Sequence, residues 1–238
     1  GDVLEFHGYG PGATVAALDA FGNVATGYVG TVHCSATDAA GNLQTDYAFS
    51  GADAGVHSFS GVALKTAGTR SLTATDTVTA AVTGTTSGIA VSPAAAASLS
   101  VTAPGSAGAG TPFTVTVTAL DAFANTATGY AGTIHFTSTD PGATLPANYT
   151  FTAGDSGAHA FANGVTLTTG SRTVTATDTG NAAITGTTGP IVVAASGSTT
   201  ALAGPASSVV GQTVTFTATV TPGGAGMPTG TVDVLDGA

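Results

Sequence analysis

LDAFGNVATGYVGTVH (Leu18–His33) and LDAFANTATGYAGTIH (Leu120–His135) are one stretch written twice. Each copy reads as the end of a strand, a polar turn and the start of the next strand. Asp19 and Asp121 stand 102 residues apart. A period near 100 residues is too long for solenoid units of about 20–50 residues. It suits a two-sheet sandwich of about 100 residues.

Outward from this stretch the correspondence holds from Ala17 to Val91 and from Ala119 to Val193. It needs one insertion, Asn163, and one deletion opposite Ala67, which sets Lys65 against Thr168. Tyr28/Tyr130, Asp53/Asp155, His57/His159, Arg70/Arg172 and Asp76/Asp178 recur. PFTVTVTAL (Pro112–Leu120) places Phe113, Val115 and Val117 on one face and Thr114, Thr116 and Thr118 on the other. That period of two is a half-buried strand. Further short strands follow at Tyr130–Thr137, Asn148–Thr152, His159–Phe161, Val165–Thr169, Arg172–Thr177, Ile184–Thr188 and Ile191–Val193. Seven or eight short strands with regular turn signals predict an antiparallel sandwich with one wet face on each sheet.

Composition agrees. Apolar residues are 42% of the chain and charged residues 7%, against about 25% charged in ordinary domains. Glu5 is the only Glu and Lys65 the only Lys, while Thr and Val abound, so strands are favoured over helices. The net charge is −10, with Lys65, Arg70 and Arg172 as the only strong cations. This excludes nucleic-acid binding, which needs clustered Lys and Arg. No apolar run approaches the length of about 18 residues that inserts in a membrane. The single Cys34 cannot form an intrachain disulfide, and it aligns with Phe136, which reads as a buried apolar position. Scarce Cys and Lys with abundant Thr point to an exported bacterial surface protein.

The chain ends depart from the repeat. GDVLEFHGYGPGAT (Gly1–Thr14) does not match its counterpart at the 102-residue offset, so the first copy is expected to lack a regular opening strand. That segment resembles one found in hemolysin-type, calcium-dependent secreted proteins, without their Gly/Asp nonapeptides. The last 43 residues, Ser196–Ala238, follow another pattern, with Val214, Phe216, Ala218 and Val220 alternating with Thr. They are too few to close a sandwich of about 100 residues. The expected organisation is residues 1–93 as a first sandwich with a divergent or truncated first strand, 94–195 as a second, and 196–238 as part of a third of another group. Open sheet edges invite pairing with neighbouring strands, so self-association and contact with neighbouring domains are expected.

DAFGN/DAFAN, TGYVGTVH/TGYAGTIH, FTSTDPGATLPANYTFTAGDSGAHAF and LTATDT/VTATDT resemble tandem bacterial immunoglobulin-like repeats of large secreted or surface-anchored proteins. GQTVTFTATV and MPTGTV in the last segment resemble a second bacterial immunoglobulin-like group. The resemblance implies an all-β fold of tandem immunoglobulin-like β-sandwich domains, the last incomplete. It implies a stalk, adhesin or surface-fibre role, no enzymatic activity, and no agreed binding residues.

Asp19 with Asn23, and Asp121 with Asn125, follow a strand, where Asp and Asn side chains accept bonds from turn N–H groups. Their alternative is calcium, whose hard-oxygen preference suits carboxylates and needs six or more ligands. Asp76 and Asp178 each end a strand near a domain junction, so Asp19, Asp76, Asp121 and Asp178 are the candidate calcium ligands. Tyr28 and Tyr130 read as sheet-corner residues. Asp53 and Asp155 are placed to hydrogen-bond His57 and His159 across a Gly turn, and Arg70 and Arg172 to pair with a nearby Asp. No three or four N/S ligands converge as zinc requires, and no nucleophile elbow or carboxylate pair stands out. No catalytic or cofactor-binding residue is assigned. The function expected is a spacer in a bacterial extracellular fibre or surface protein. The alternatives are an adhesin module for glycan or host protein and an accessory region of a secreted enzyme.

Overall fold

The computed structural model describes residues 3–9, 12–223, 228 and 230–233. The chain divides into two compact units, Gly1–Ala94 with Phe123–Asn125, and Ala95–Ala122 with Thr126–Ala238. Met227, counted above in the pattern of the last segment, lies outside the described residues.

The first unit runs β1 (Val3–Tyr9), β2 (Gly12–Leu18), β3 (Thr31–Ala36), β4 (Tyr47–Ala48), β5 (Val56–Ser60), β6 (Gly68–Asp76) and β7 (Thr83–Val91). Among the described residues β1-β2-β5 form one antiparallel sheet and β4-β3-β6-β7 the other. Strands one, two and five on one side, with three, six and seven on the other, is the division of an immunoglobulin-type sandwich. Alternate residues of both sheets turn inward. Leu4, Val15 and Ala17 pack with Val32, Cys34 and Ala74, and Phe49 and Phe59 fill the space between. Burying each larger apolar side chain favours folding by about 1.5–3 kcal/mol.

The second unit runs β8 (Ser98–Thr102), β9 (Ser106–Gly108), β10 (Phe113–Leu120), β11 (Thr133–Ser138), β12 (Tyr149–Thr150), β13 (Ala158–Val165), β14 (Gly170–Arg172), β15 (Val174–Asp178), β16 (Thr185–Thr187) and β17 (Ile191–Ala194), then β18 (Ser198–Ala203) and β19 (Thr217–Pro222). Sheets β13-β10-β8, β12-β11-β15-β16 and β14-β17-β9 contribute buried residues to one core. The predicted inward face of β10 is buried at Phe113, Val115 and Val117. β16 and β17 are two halves of the strand that β7 forms unbroken. Pro190 stands in the gap, where it has no N–H to donate to a ladder. β17 pairs in parallel with β9, from Val192↔Ser106 to Ala194↔Gly108. The β18–β19 ladder runs from Ser198↔Pro222 to Ala203↔Thr217. All of β18 is exposed.

The first copy, expected to lack a regular opening strand, has one in β1. β1 pairs with β2 so that Leu4 stands opposite Ala17, as β8 pairs with β10 so that Leu99 stands opposite Ala119. Leu4 and Leu99 are thus equivalent, though seven residues off the general offset. The offset conceals this because the link from β1 (ending at Tyr9) to β2 (starting at Gly12) is shorter than that from β8 to β10. Asn163, the inserted residue, sits at φ 50° where the β10–β13 register slips, so the insertion is absorbed as a bulge.

Candidate functional site

The quoted stretch forms the corner between β2 and β3, and between β10 and β11. Asp19 Oδ1 accepts the N–H groups of Phe21 and Asn23, at 2.8 and 2.9 Å, which closes the turn. The Asn23 N–H bond, followed by that of Phe21, lowers the Asp19 pKa. Farther on, Tyr28 OH donates to Asp76 Oδ2 and Tyr130 OH to Asp178 Oδ2, each at 2.5 Å. The second oxygen of each carboxylate caps the following turn. Asp76 Oδ1 accepts from Val78 and Thr79 N–H, and Asp178 Oδ1 from Gly180 and Asn181 N–H. One buried carboxylate therefore joins the corner before β3 to the turn after β6. The Tyr28 hydroxyl, then the Thr79 N–H, hold Asp76 below the usual carboxylate range. Burial pushes Asp178 up, but the Tyr130 hydroxyl and the two N–H groups outweigh it. A Cβ at Gly30 or Gly132 would strike this tyrosine–aspartate pair.

Two further ties recur. Asp38 accepts Lys65 N–H, Thr66 N–H and the Thr66 hydroxyl, while Asp140 accepts Thr168 N–H and the Thr168 hydroxyl. The Thr66 N–H and then its hydroxyl depress the Asp38 pKa strongly. These bonds make Thr66 the counterpart of Thr168 and leave Lys65 as the extra residue, correcting the alignment that set Lys65 against Thr168. Asp53 accepts the Ser50 N–H and hydroxyl and the Tyr47 hydroxyl, and it hydrogen-bonds His57 Nδ1 at 3.1 Å. Asp155 does the same with Thr152, Tyr149 and His159, at 2.7 Å to the last. The Ser50 hydroxyl then its N–H, and the Thr152 N–H then its hydroxyl, hold these two carboxyls well below the ordinary range. The imidazoles stack on Tyr47 and Tyr149 with ring centroids 3.5 and 4.0 Å apart.

Of the four sequence-predicted calcium ligands, Asp76, Asp121 and Asp178 are buried, and Asp19 lies in its turn. Among the described residues no three His, Cys, Asp or Glu side chains gather as a metal group. Arg172 lies 3.9 Å from Asp140, whereas Arg70 is hydrogen-bonded to the Thr66 and Ala67 carbonyls. Cys34 is buried, and burial, then the charge of Asp46, raises its pKa to about 11. Sequence reasoning missed Thr66/Thr168 and the glycine pairs Gly30/Gly132 and Gly84/Gly186. The recurrence of the two glycine pairs in both copies was the available signal. Among the described residues no helix is long and apolar enough to cross a membrane.

No protein-family model and no curated protein matches the chain. Among solved structures it is similar to FdeC, an adhesin of Escherichia coli. The identity is 21%, 92% of this chain and 73% of that chain are covered, and the TM-score is 0.42. It is also similar to Escherichia coli alpha-2-macroglobulin activated by porcine elastase. There the identity is 15%, the coverage 83% and 23%, and the TM-score 0.31. At these scores neither likeness bears on what this chain does.

Proposed function

We propose that the chain is a non-enzymatic spacer segment of a bacterial extracellular or cell-surface protein, built of immunoglobulin-like sandwiches. The observation that carries this reading is the recurrence of the same loop ties in both units. Tyr28–Asp76, Asp38–Thr66 and Asp53–His57 reappear as Tyr130–Asp178, Asp140–Thr168 and Asp155–His159. Polar residues repeated between the units serve to lock loops on sheets. The four tyrosines whose side chains are described are part-buried, and their hydroxyls or rings are engaged inside the sandwich. This favours holding a partner at a distance over binding glycan on exposed tyrosine rings. The low charge and near absence of Cys and Lys suit export.

Single-molecule pulling on the chain tests the reading. The expected trace has unfolding peaks spaced by about 3.5 Å per residue of one sandwich, with no binding on a glycan array. Saturable binding to one glycan class would overturn the spacer reading in favour of the adhesin.

For Asp19, Asp76, Asp121 and Asp178 we propose turn-locking in place of calcium ligation, supported by the protein donors on Asp19, Asp76 and Asp178. Calcium titrated into EDTA-treated protein is expected to give no heat and no shift in Tm. A saturable heat with a rise in Tm would restore the calcium reading.

A further inference from the structure

The loop before β6 has two backbone groups that its own unit's Asp and Arg leave over. Asp38 takes the N–H of Lys65 and of Thr66, and Arg70 takes the carbonyls of Thr66 and Ala67. The Lys65 carbonyl and the Ala67 N–H remain. Within the first unit these two are met by Asn125. Its Oδ1 accepts from Ala67 N–H and its Nδ2 donates to the Lys65 carbonyl, both at 2.8 Å. The Lys65 ammonium lies 5.9 Å from the centroid of the Phe123 ring, within reach of a cation–π contact. The tripeptide Phe123–Asn125 thus fits the loop at three points.

The second unit's equivalent loop is built differently. There the Leu167 carbonyl, just before Thr168, accepts Gly110 N–H at 2.9 Å, and Gly110 follows β9. Among the described residues the first unit has no β9 counterpart, and it has the extra Lys65. A loop of this receiving kind therefore belongs to repeats that lack the β9 segment and carry the additional lysine.

The matching tripeptide of the first unit, Phe21–Gly22–Asn23, has the same turn and a bare tip. Phe21 is 90% exposed, against 53% for Phe123. Val24, Val29 and Val78 are exposed as well, and the Tyr28–Asp76 bond ties the corner and the turn that carry them together. Among the described residues the Asn23 side-chain amide donates to its own Asp19 alone, at 3.2 and 3.3 Å. We infer that the Phe21–Asn23 tip is a docking element for a Lys65–Ala67-type loop on another immunoglobulin-like repeat. Asn23 leaves Asp19 and takes the two backbone bonds, and Phe21 lies against the lysine. The pairing is heterologous, tip to loop, so it propagates along a row of repeats. It deepens the spacer reading and rests on it for its use, as the joint between successive modules.

The test empties the loop in the intact chain. Phe123→Ala with Asn125→Ala frees the Lys65 loop for the Phe21 tip of a second molecule. Sedimentation velocity from micromolar to millimolar is expected to show concentration-dependent association of this variant, with the unsubstituted chain remaining monomeric. Adding Phe21→Ala and Asn23→Ala, or Lys65→Ala, is expected to weaken the association at least tenfold. Asn125→Ala alone is the second variant, used if circular dichroism shows the double one unfolded. A folded, emptied chain that stays monomeric at millimolar concentration overturns the inference. So does association that survives loss of Phe21 and Asn23. Either result leaves the spacer reading intact, because pulling and glycan binding test that separately.

Discussion

At the residue scale, small differences between the copies act as an internal mutation series. The tip of the quoted turn needs a left-handed residue, and the copies solve this differently, with Gly22 at φ 82° and Ala124 at φ 65°. A Cβ there costs roughly 1–2 kcal/mol, offset in part by the greater freedom of an unfolded glycine. Ala124→Gly is therefore expected to raise stability by a few tenths to about 1 kcal/mol, and Gly22→Ala to lower it by a similar amount. Urea denaturation checks both signs. The Tyr130 hydroxyl is the sole side-chain donor to the buried Asp178 among the hydrogen bonds described. Tyr130→Phe removes a bond to a charged acceptor and is expected to cost about 1.5–3 kcal/mol. A loss under about 0.5 kcal/mol in the same titration would show that the latch is weak.

At the element scale, the opening strand crosses a strand of the opposite sheet at one glycine. A Cβ on Gly84 would run into the Leu4 carbonyl, and one on Gly186 into the Leu99 carbonyl. β1 or β8 can lie down only if that position has no side chain, which explains the glycine of TGTT in β7 and its counterpart in β16. Gly186→Ala is expected to cost about 1–3 kcal/mol or more by forcing backbone apart. Amide exchange should quicken first in β8 and β16, and uniform exchange across the second unit would contradict a local origin. On the outer face of the same sheet, threonine hydroxyls pair across strands, Thr73 with Thr85 and Thr175 with Thr187, at 2.9 and 2.7 Å. Cross-strand pairs of this kind add about 0.2–1 kcal/mol each. They explain Thr at positions where a wet strand face would accept many polar residues.

At the scale of the whole molecule, stability rests on carboxylates that must stay ionised. Asp38, Asp53, Asp76, Asp140, Asp155 and Asp178 all have folded pKa values lowered by hydrogen bonds against an opposing push from burial, which in Asp140 and Asp178 is the largest single influence. A depressed folded pKa means that the unfolded chain binds protons first as pH falls. The contribution is complete above the unfolded value, near 3.9, and is lost progressively below it. Tm is expected to be flat from about pH 5 to 8 and to fall steeply below about pH 4. Calorimetry across this range decides it. A maximum near the sequence pI of 4.3 would show that net charge, and not these ties, governs stability.

How much was legible in advance differs by residue. The strand alternation of Phe113–Leu120, the turn role of Asp19 and the His–Asp pairings were readable, because each depends on residues near in sequence or on a period of two. The duplicated corner itself declared a domain-sized repeat, and hence two sandwiches. The opening strand of the first unit was not readable, since Leu4 matches Leu99 only through its partner across the ladder. Nor was the equivalence of Thr66 with Thr168, which depends on which backbone an aspartate 28 residues away holds. The quoted stretch shows the division most plainly. Its amino acids by themselves determine a strand–turn–strand corner, through local hydrogen bonding and backbone preference. Only the tertiary structure decides that Tyr28 and Tyr130 close it on Asp76 and Asp178, and that Phe21 stands bare while Asn125 is held. Those outcomes depend on which distant backbone groups still lack a partner once both sheets have formed.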